Sequence, residues 1–360
     1  MSSDNSMERR RSVRLAVIGV VVCALAVIIL SACGSGGTAR ASVRTDVGVQ
    51  KRSTDTATSA TTTTPVTTDG SMLAPAPTQT DPTSLWASTP IPAVAAAATA
   101  ARANEPLPAT FKPGLAHLKG NTYDTPVDCQ PAFGAGVKPP TLCRLGDGNS
   151  SKVVVMIGDS HSGMWDPAVI ADAKAQHFTM ITLAKSGCQL STYDVNLGAF
   201  SCGSWYRWAL AEDHKLHPVA TIVSFLYQDA YETAPGTYVA KLKTVLGQMT
   251  HPILIADMPY QNEQPATCLS AAGSTLGTCS ARVPSTYVPF MKDIAKMTTA
   301  QHVPVIPTLQ WFCAGGTCPM IVNDTLTVHD KDHMTEDYVN DLTGVFNLAL
   351  NPILDTYEGK

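Results

Sequence analysis

Beyond residue 150 the chain repeats one unit, a short apolar run followed by a stretch of helical character. The apolar runs are "KVVVMIG" (152–158), "FTMITLA" (178–184), "ATIVSFLY" (220–227), "PILIADM" (252–258) and "VPVIPT" (303–308). Runs of this length, apolar without alternation, predict strands that meet no water on either face, which is the pattern of a parallel sheet covered by helices. Helices are expected from near Ser162, over 236–249, over 286–300 and after Met334. For the last, Thr335 is a suitable N-cap, Glu336 and Asp337 suit the first turn, and Val339, Leu342, Val345 and Phe346 form one apolar face. The expected fold class is α/β: a three-layer α/β/α sandwich around a central, mainly parallel, five-stranded sheet. Ligands of such sheets bind beyond the carboxyl ends of the strands.

The first 115 residues have a different character. Arg9, Arg10, Arg11 and Arg14 precede "LAVIGVVVCALAVIIL", Leu15 to Leu30, and then "SACG". A basic segment, an apolar core and small residues describe an export signal over residues 1–32. Leu30-Ser31-Ala32-Cys33 is similar to a bacterial lipobox, which makes Cys33 the expected lipidated residue. The alternative is an uncleaved membrane-anchoring helix, for which the apolar run is short. Either reading places the rest of the chain outside the cytoplasm, attached to the cell membrane. Residues 33–115 are rich in Ser, Thr, Ala and Pro and read as a disordered stalk, with "AVAAAATAARA" (93–103) taken as more linker rather than as a helix. The folded domain is then expected over 116–360.

Past residue 32 the chain carries 21 basic and 27 acidic side chains, with no basic patch, so nucleic acid is not an expected partner. Apart from Cys23 and Cys33, eight cysteines lie between Cys129 and Cys318. An even number in an exported chain predicts disulfides, and eight allow 105 connectivities. Their spacing in close couples makes neighbour pairing the simplest choice: Cys129–Cys143, Cys188–Cys202, Cys268–Cys279 and Cys313–Cys318. There is no C-x-x-C knuckle to suggest zinc.

The chemistry centres on "VVVMIGDSHSGMW", where a buried strand ends at Gly158 and sets Asp159, Ser160 and His161 in a row. A serine hydroxyl becomes a nucleophile when a histidine, itself held by a carboxylate, takes its proton. A strand-to-helix turn also supplies backbone N–H groups for an oxyanion. His161 is adjacent to Ser160, and consecutive side chains at a sharp turn rarely face each other, so the base is expected elsewhere. "TVHDKDHMTEDYV" (327–339) offers it: Asp330 and His333 are three residues apart, close enough for the carboxylate to orient the ring. Asp332, next to the histidine, is less well placed. His329, Asp330, Asp332 and His333 could alternatively ligate a metal, although no distant cluster completes such a site. No metal and no cofactor are expected. Trp165, Trp205, Trp208 and Trp311 are either core residues or stacking surfaces for sugar rings. His117, His177, His214, His217, His251 and His302 receive no functional role.

Gly158-Asp159-Ser160 with a late Asp-x-x-His resembles the SGNH, or GDSL-type, hydrolase superfamily. "LCRLGD…VVVMIGDSHSGMW", "LAKSGCQL", "WFCAGGTCP" and "DKDHMT" together are similar to the SGNH domains fused to acyltransferase-3 membrane proteins, over roughly residues 125–350. The resemblance implies a flavodoxin-like SGNH fold, with Ser160 as nucleophile, His333 as base and Asp330 as its partner. It also implies an oxyanion hole formed by the Ser160 amide and Gly187. Two features depart from the family. The usual Gly-x-Asn-Asp block is missing, and "FLYQDAY" after the third strand offers Gln228 as a weak substitute. The fused membrane domain is missing as well. The resemblance implies an exported serine esterase or O-acyltransferase that removes or transfers short acyl groups, chiefly acetyl, on envelope carbohydrate. Its partners would be an acylated glycan or another small ester and a membrane acyltransferase. The alternatives are an inactive envelope-binding protein of the same fold and a general carboxylesterase or lipase.

Overall fold

The computed structural model describes residues 89–122 and 125–359. The export segment, Cys33 and the stalk as far as residue 88 lie outside the described residues. Helix α1 (Pro92–Arg102) comes first, followed by β1 (Leu145–Gly146), β2 (Val153–Gly158), α2 (Ser160–Gly163), α3 (Asp166–Ala175) and β3 (Thr179–Thr182). Then come α4 (Cys202–Leu216), β4 (Ala220–Ser224), α5 (Gln228–Thr233), α6 (Pro235–Leu246), β5 (Pro252–Ile255), α7 (Pro265–Ser270) and β6 (Ala281–Arg282). The chain closes with α8 (Tyr287–Gln301), β7 (Val305–Ile306), three two-residue strands β8 (Thr317–Cys318), β9 (Ile321–Val322) and β10 (Thr325–Leu326), and α9 (Glu336–Tyr357).

The central sheet has the order β1-β3-β2-β4-β5-β7. The five strands read from the sequence pair in parallel, and a sixth, β1, joins the edge antiparallel to β3. β1 is only Leu145 and Gly146, too short and too polar in its surroundings to give a periodic signal. Every residue of β2 is buried. Val154 and Met156 pack with α1, α3 and α9, whereas Val155 and Ile157 pack with α4, α6 and α8, so alternate side chains serve the two faces. This is the physical reason the strand has no polar alternation.

The segment read as linker is helix α1. Val94, Ala98 and Ala101 are buried on one face, the Ile91 N–H donates to the Gln310 carbonyl at 3.1 Å, and Arg102 donates to the Ala314 carbonyl at 3.0 Å. Its contact side is Val94, Ala98 and Ala101, and because alanine also fills the outward face the sequence contrast between the two sides is small. Ordered structure therefore begins well before residue 116.

The four cysteine couples are joined: Cys129–Cys143, Cys188–Cys202, Cys268–Cys279 and Cys313–Cys318. His177, His217, His251 and His302 all have positive φ, each in the reversal that leads a helix into the next strand. Histidine adopts this conformation more readily than branched residues do, which accounts for four imidazoles with no part in the site. Among the described residues no helix is long and apolar enough to cross a membrane.

Candidate active site

The site forms where β2 ends and α2 begins. Gly158 is required there: a Cβ would lie 2.0 Å from the Ser224 carbonyl oxygen of β4 and 2.5 Å from the Ser162 Cβ. Asp159 is buried and caps α2, its carboxylate accepting the His161 N–H at 2.9 Å and the Leu226 N–H at 3.1 Å. Burial pushes its carboxyl up to about 6, against the lowering effect of the His161 charge and these N–H donors. One side chain thereby ties the Ser160 turn to the chain leaving β4.

α9 and its cap bring the second half of the site. Thr335 accepts the Tyr338 N–H, as expected of the N-cap, and His333 lies two residues before it. The His333 Nε2 is 2.8 Å from the Ser160 Oγ, across 173 residues of sequence. Its Nδ1 is 2.9 Å from the Asp330 Oδ2, and the Asp330 Oδ1 accepts the backbone N–H groups of Asp332 (3.0 Å) and His333 (2.8 Å). Asp330 is thus locked by the same turn that presents His333. Asp332 is better placed than its adjacency suggested, with Oδ1 3.1 Å from the same Nδ1. Burial works to lower the His333 pKa, but the hydrogen bonds and charges of Asp330 and Asp332 outweigh it and hold the imidazole well above its ordinary value. Burial likewise works to raise the Asp330 carboxyl, and the His333 hydrogen bond and charge overcome it, leaving Asp330 below the usual carboxylate range.

Two further imidazoles flank His333. His329 lies parallel to it, with ring centroids 5.6 Å apart. His161 lies with its ring centroid 4.8 Å from that of His333 and turns its Nδ1 to Asp257, at 2.7 Å. Asp257 also accepts the N–H groups of Tyr227 and Met258, each at 2.9 Å. His161 therefore does not contact Ser160 as base. It belongs to a buried pair behind the site. Asp257 was missed in the sequence, although it stands just past the carboxyl end of β5, where side chains of a parallel sheet reach the site.

A cleft of about 780 Å³ opens over Ser160 and His333. Gly187 lines it, with φ of 79°, and a Cβ there would lie 3.1 Å from the rings of both Phe133 and Phe200. Gln228 begins α5 and is not among the lining residues, whereas Leu226 is. The weak substitute for the missing asparagine is thus not a wall of this cleft. Trp165, Trp205 and Trp311 are fully buried and Trp208 packs on the core, so none is a wall of the cleft.

The candidate metal cluster resolves into hydrogen bonds. His161, Asp332 and His333, and also His329, Asp330 and His333, bring ligand atoms within 4.8 Å of one another. Both His333 nitrogens already face protein partners, Nδ1 the carboxylates and Nε2 the Ser160 hydroxyl.

A carboxylate, an imidazole and a hydroxyl in hydrogen-bonded series can deprotonate the hydroxyl as it attacks a carbonyl. The sequence matches the family model described as SGNH domain (fused to AT3 domains) over residues 128–347, more than half of the chain. The chain belongs to this SGNH family. It is an ester-acting enzyme of the hydrolase and acyltransferase type. No curated protein matches the sequence at a significant level. Solved structures similar to this SGNH chain include the periplasmic domain of a Salmonella ser. Paratyphi A lipopolysaccharide acetyltransferase, at 13% identity and a TM-score of 0.47, over 66% of this chain and 93% of that one. An M. smegmatis aryl esterase shares 14% identity with a TM-score of 0.39, covering 56% and 99%. A GDSL-like lipase from Bacteroides thetaiotaomicron shares 14% with a TM-score of 0.38, covering 56% and 89%.

Proposed function

We propose that this protein is an exported serine esterase or O-acyltransferase acting on short acyl groups, chiefly acetyl, carried by envelope carbohydrate. The observation that carries the chemistry is the series Asp330–His333–Ser160, with contacts of 2.9 and 2.8 Å, opening on the cleft. The Ser160 Oγ attacks the ester carbonyl carbon while its proton passes to the His333 Nε2. The tetrahedral intermediate rests its oxyanion on the N–H groups of Ser160 and Gly187. As it collapses, His333 returns the proton to the departing alkoxide and the acyl group stays on Ser160. A water or a sugar hydroxyl then gives its proton to His333 and attacks the acyl carbon, and His333 passes that proton to the departing Ser160 Oγ. Asp330 keeps Nδ1 protonated and the ring in line throughout.

Carbohydrate as the substrate class is supported by the family resemblance, whose model describes domains fused to acyltransferase-3 domains. A membrane acyltransferase is accordingly the proposed acyl donor for the transferase form of the reaction. Export rests on the signal pattern of residues 1–32, and membrane attachment on lipidation of Cys33. A fluorophosphonate probe tests the chemistry directly. Labelling at Ser160, lost in Ser160→Ala, is expected, and folded wild-type protein that takes no label contradicts the reading. Mass spectrometry of envelope glycans with and without the gene then identifies the acyl group.

A further inference from the structure

Phe133 is 72% exposed at the cleft, yet the backbone on both sides of it is bonded to the rest of the domain. Lys185 is wholly buried, and its Nζ donates to the carbonyls on either side of that ring, Ala132 at 3.0 Å and Gly134 at 3.2 Å. Among the described residues no carboxylate pairs with this ammonium, so its burial is costly and its two hydrogen bonds serve the 132–134 segment alone. The Lys185 N–H also donates to the carbonyl of Gly158, two residues before Ser160, at 2.9 Å. One residue therefore connects the Ser160 turn to the backbone around Phe133. The ring meets Phe200 edge to face at 4.9 Å, and Phe200 is carried by the loop closed by Cys188–Cys202. The Ser201 N–H adds a bond to the Gly134 carbonyl at 3.1 Å, and Cys129–Cys143 closes the segment on its other side.

An aromatic ring left in water gives up favourable burial, and fixing it in place removes the entropy that binding would otherwise cost. The cleft is amphipathic in a specific way. Its apolar side chains come mainly from one segment (Val127, Pro131, Ala132 and Phe133), whereas Gln130, Ser186, Gln189 and His329 offer polar groups. A fatty chain would be better served by an apolar slot on all sides. A pyranose ring has the matching form, with C–H bonds on one face and hydroxyls around its edge.

We propose that Phe133 is a preorganised stacking platform for a pyranose ring of the acylated substrate or acceptor, and so determines preference for sugar esters over other short esters. This rests on the ester-acting reading of Ser160. The test compares three acetyl esters: vinyl acetate, which has no ring, cyclohexyl acetate, which has an apolar ring, and methyl 6-O-acetyl-β-D-glucopyranoside. In Phe133→Ala, kcat/KM for the sugar ester should fall roughly tenfold through KM, about the worth of one aromatic contact. Vinyl acetate should change by less than about twofold, and Phe133→Trp should keep the preference for the sugar. An unchanged sugar ester, an equal loss on vinyl acetate, or a larger loss on cyclohexyl acetate overturns the proposal. If the wild type turns over none of the three, the ester reading fails separately. The platform is then decided by saturation-transfer NMR with chitotetraose, cellotetraose and maltotetraose. Binding by wild type to at least one that is lost in Phe133→Ala supports it, and no binding, or binding unaffected by the substitution, overturns it.

Discussion

Two imidazole–carboxylate pairs lie side by side in this domain, each joined through the ring Nδ1, and they differ in exposure and in what the other ring nitrogen meets. In His333–Asp330 the side chains are 23% and 32% exposed, and the free ring nitrogen faces Ser160 at the cleft. In His161–Asp257 both are 1% exposed, and the His161 Nε2 is buried with no hydrogen-bond partner among the described residues. The first pair can exchange a proton with a substrate. The second gathers backbone: Asp257 holds the Tyr227 and Met258 N–H groups beyond β4 and β5, and His161 is bonded to the cap of α2. Burial works to lower the His161 pKa, and the charge and hydrogen bond of Asp257 with the charge of Asp159 prevail and raise it. Contact with solvent and the identity of the next atom separate a proton shuttle from a structural clamp.

The largest effect should come from the open pair. Ser160→Ala and His333→Ala should each lower ester turnover by roughly four to six powers of ten. The melting temperature of Ser160→Ala should stay close to wild type, whereas His333→Ala also loses the pairing with Asp330 and Asp332 and should melt lower. Steady-state kinetics beside thermal melts would check this, and a variant that retained turnover would break the comparison at its functional end.

The buried pair should show the reverse emphasis. Asp257→Ala leaves the His161 Nδ1–H and two buried N–H groups without their acceptor, so a loss of about 3–5 kcal/mol of stability is expected. Urea titration measures it. Full stability with abolished turnover would instead place Asp257 in the chemistry.

A smaller effect should separate the two carboxylates on His333. The base form is the neutral imidazole, so a raised pKa moves the acid limb of kcat/KM above the ordinary value of ~6.5, and activity rises with pH through that limb. Asp332→Asn removes one of the two groups that raise the pKa and should shift the limb downward, while turnover on its plateau stays near wild type. A limb that did not move would leave Asp330 as the sole carboxylate acting on the ring.

Much of this was legible in the chain. Runs such as 152–158 and 252–258 are apolar because their strands are covered on both faces, and that physical demand is visible in one dimension. Ser160 and His333 were legible as candidates because the proposed chemistry needs a hydroxyl and an imidazole, and these stand at a strand end and before a helix cap. Helix α1 was not, since alanines stand on its exposed face as well as its buried one and leave little contrast between them. Gln228 was singled out by its position along the chain, and the path of the backbone after β4 set Leu226 against the cleft in its place.

By itself the sequence determined the layered α/β class and the serine, histidine and aspartate that meet at the cleft, and it made neighbour pairing the simplest choice for the cysteines. Each is encoded by local composition, by short spacing or by motif. Tertiary structure alone decided that Asp332 shares His333 with Asp330, that His161 turns to Asp257 instead of Ser160, and that a buried Lys185 grips the backbone on both sides of an exposed Phe133. Hydrogen bonds depend on direction and burial. Residues 50 to 100 positions apart, or adjacent on a sharp turn, acquire those only when the sheet has set their strands in order.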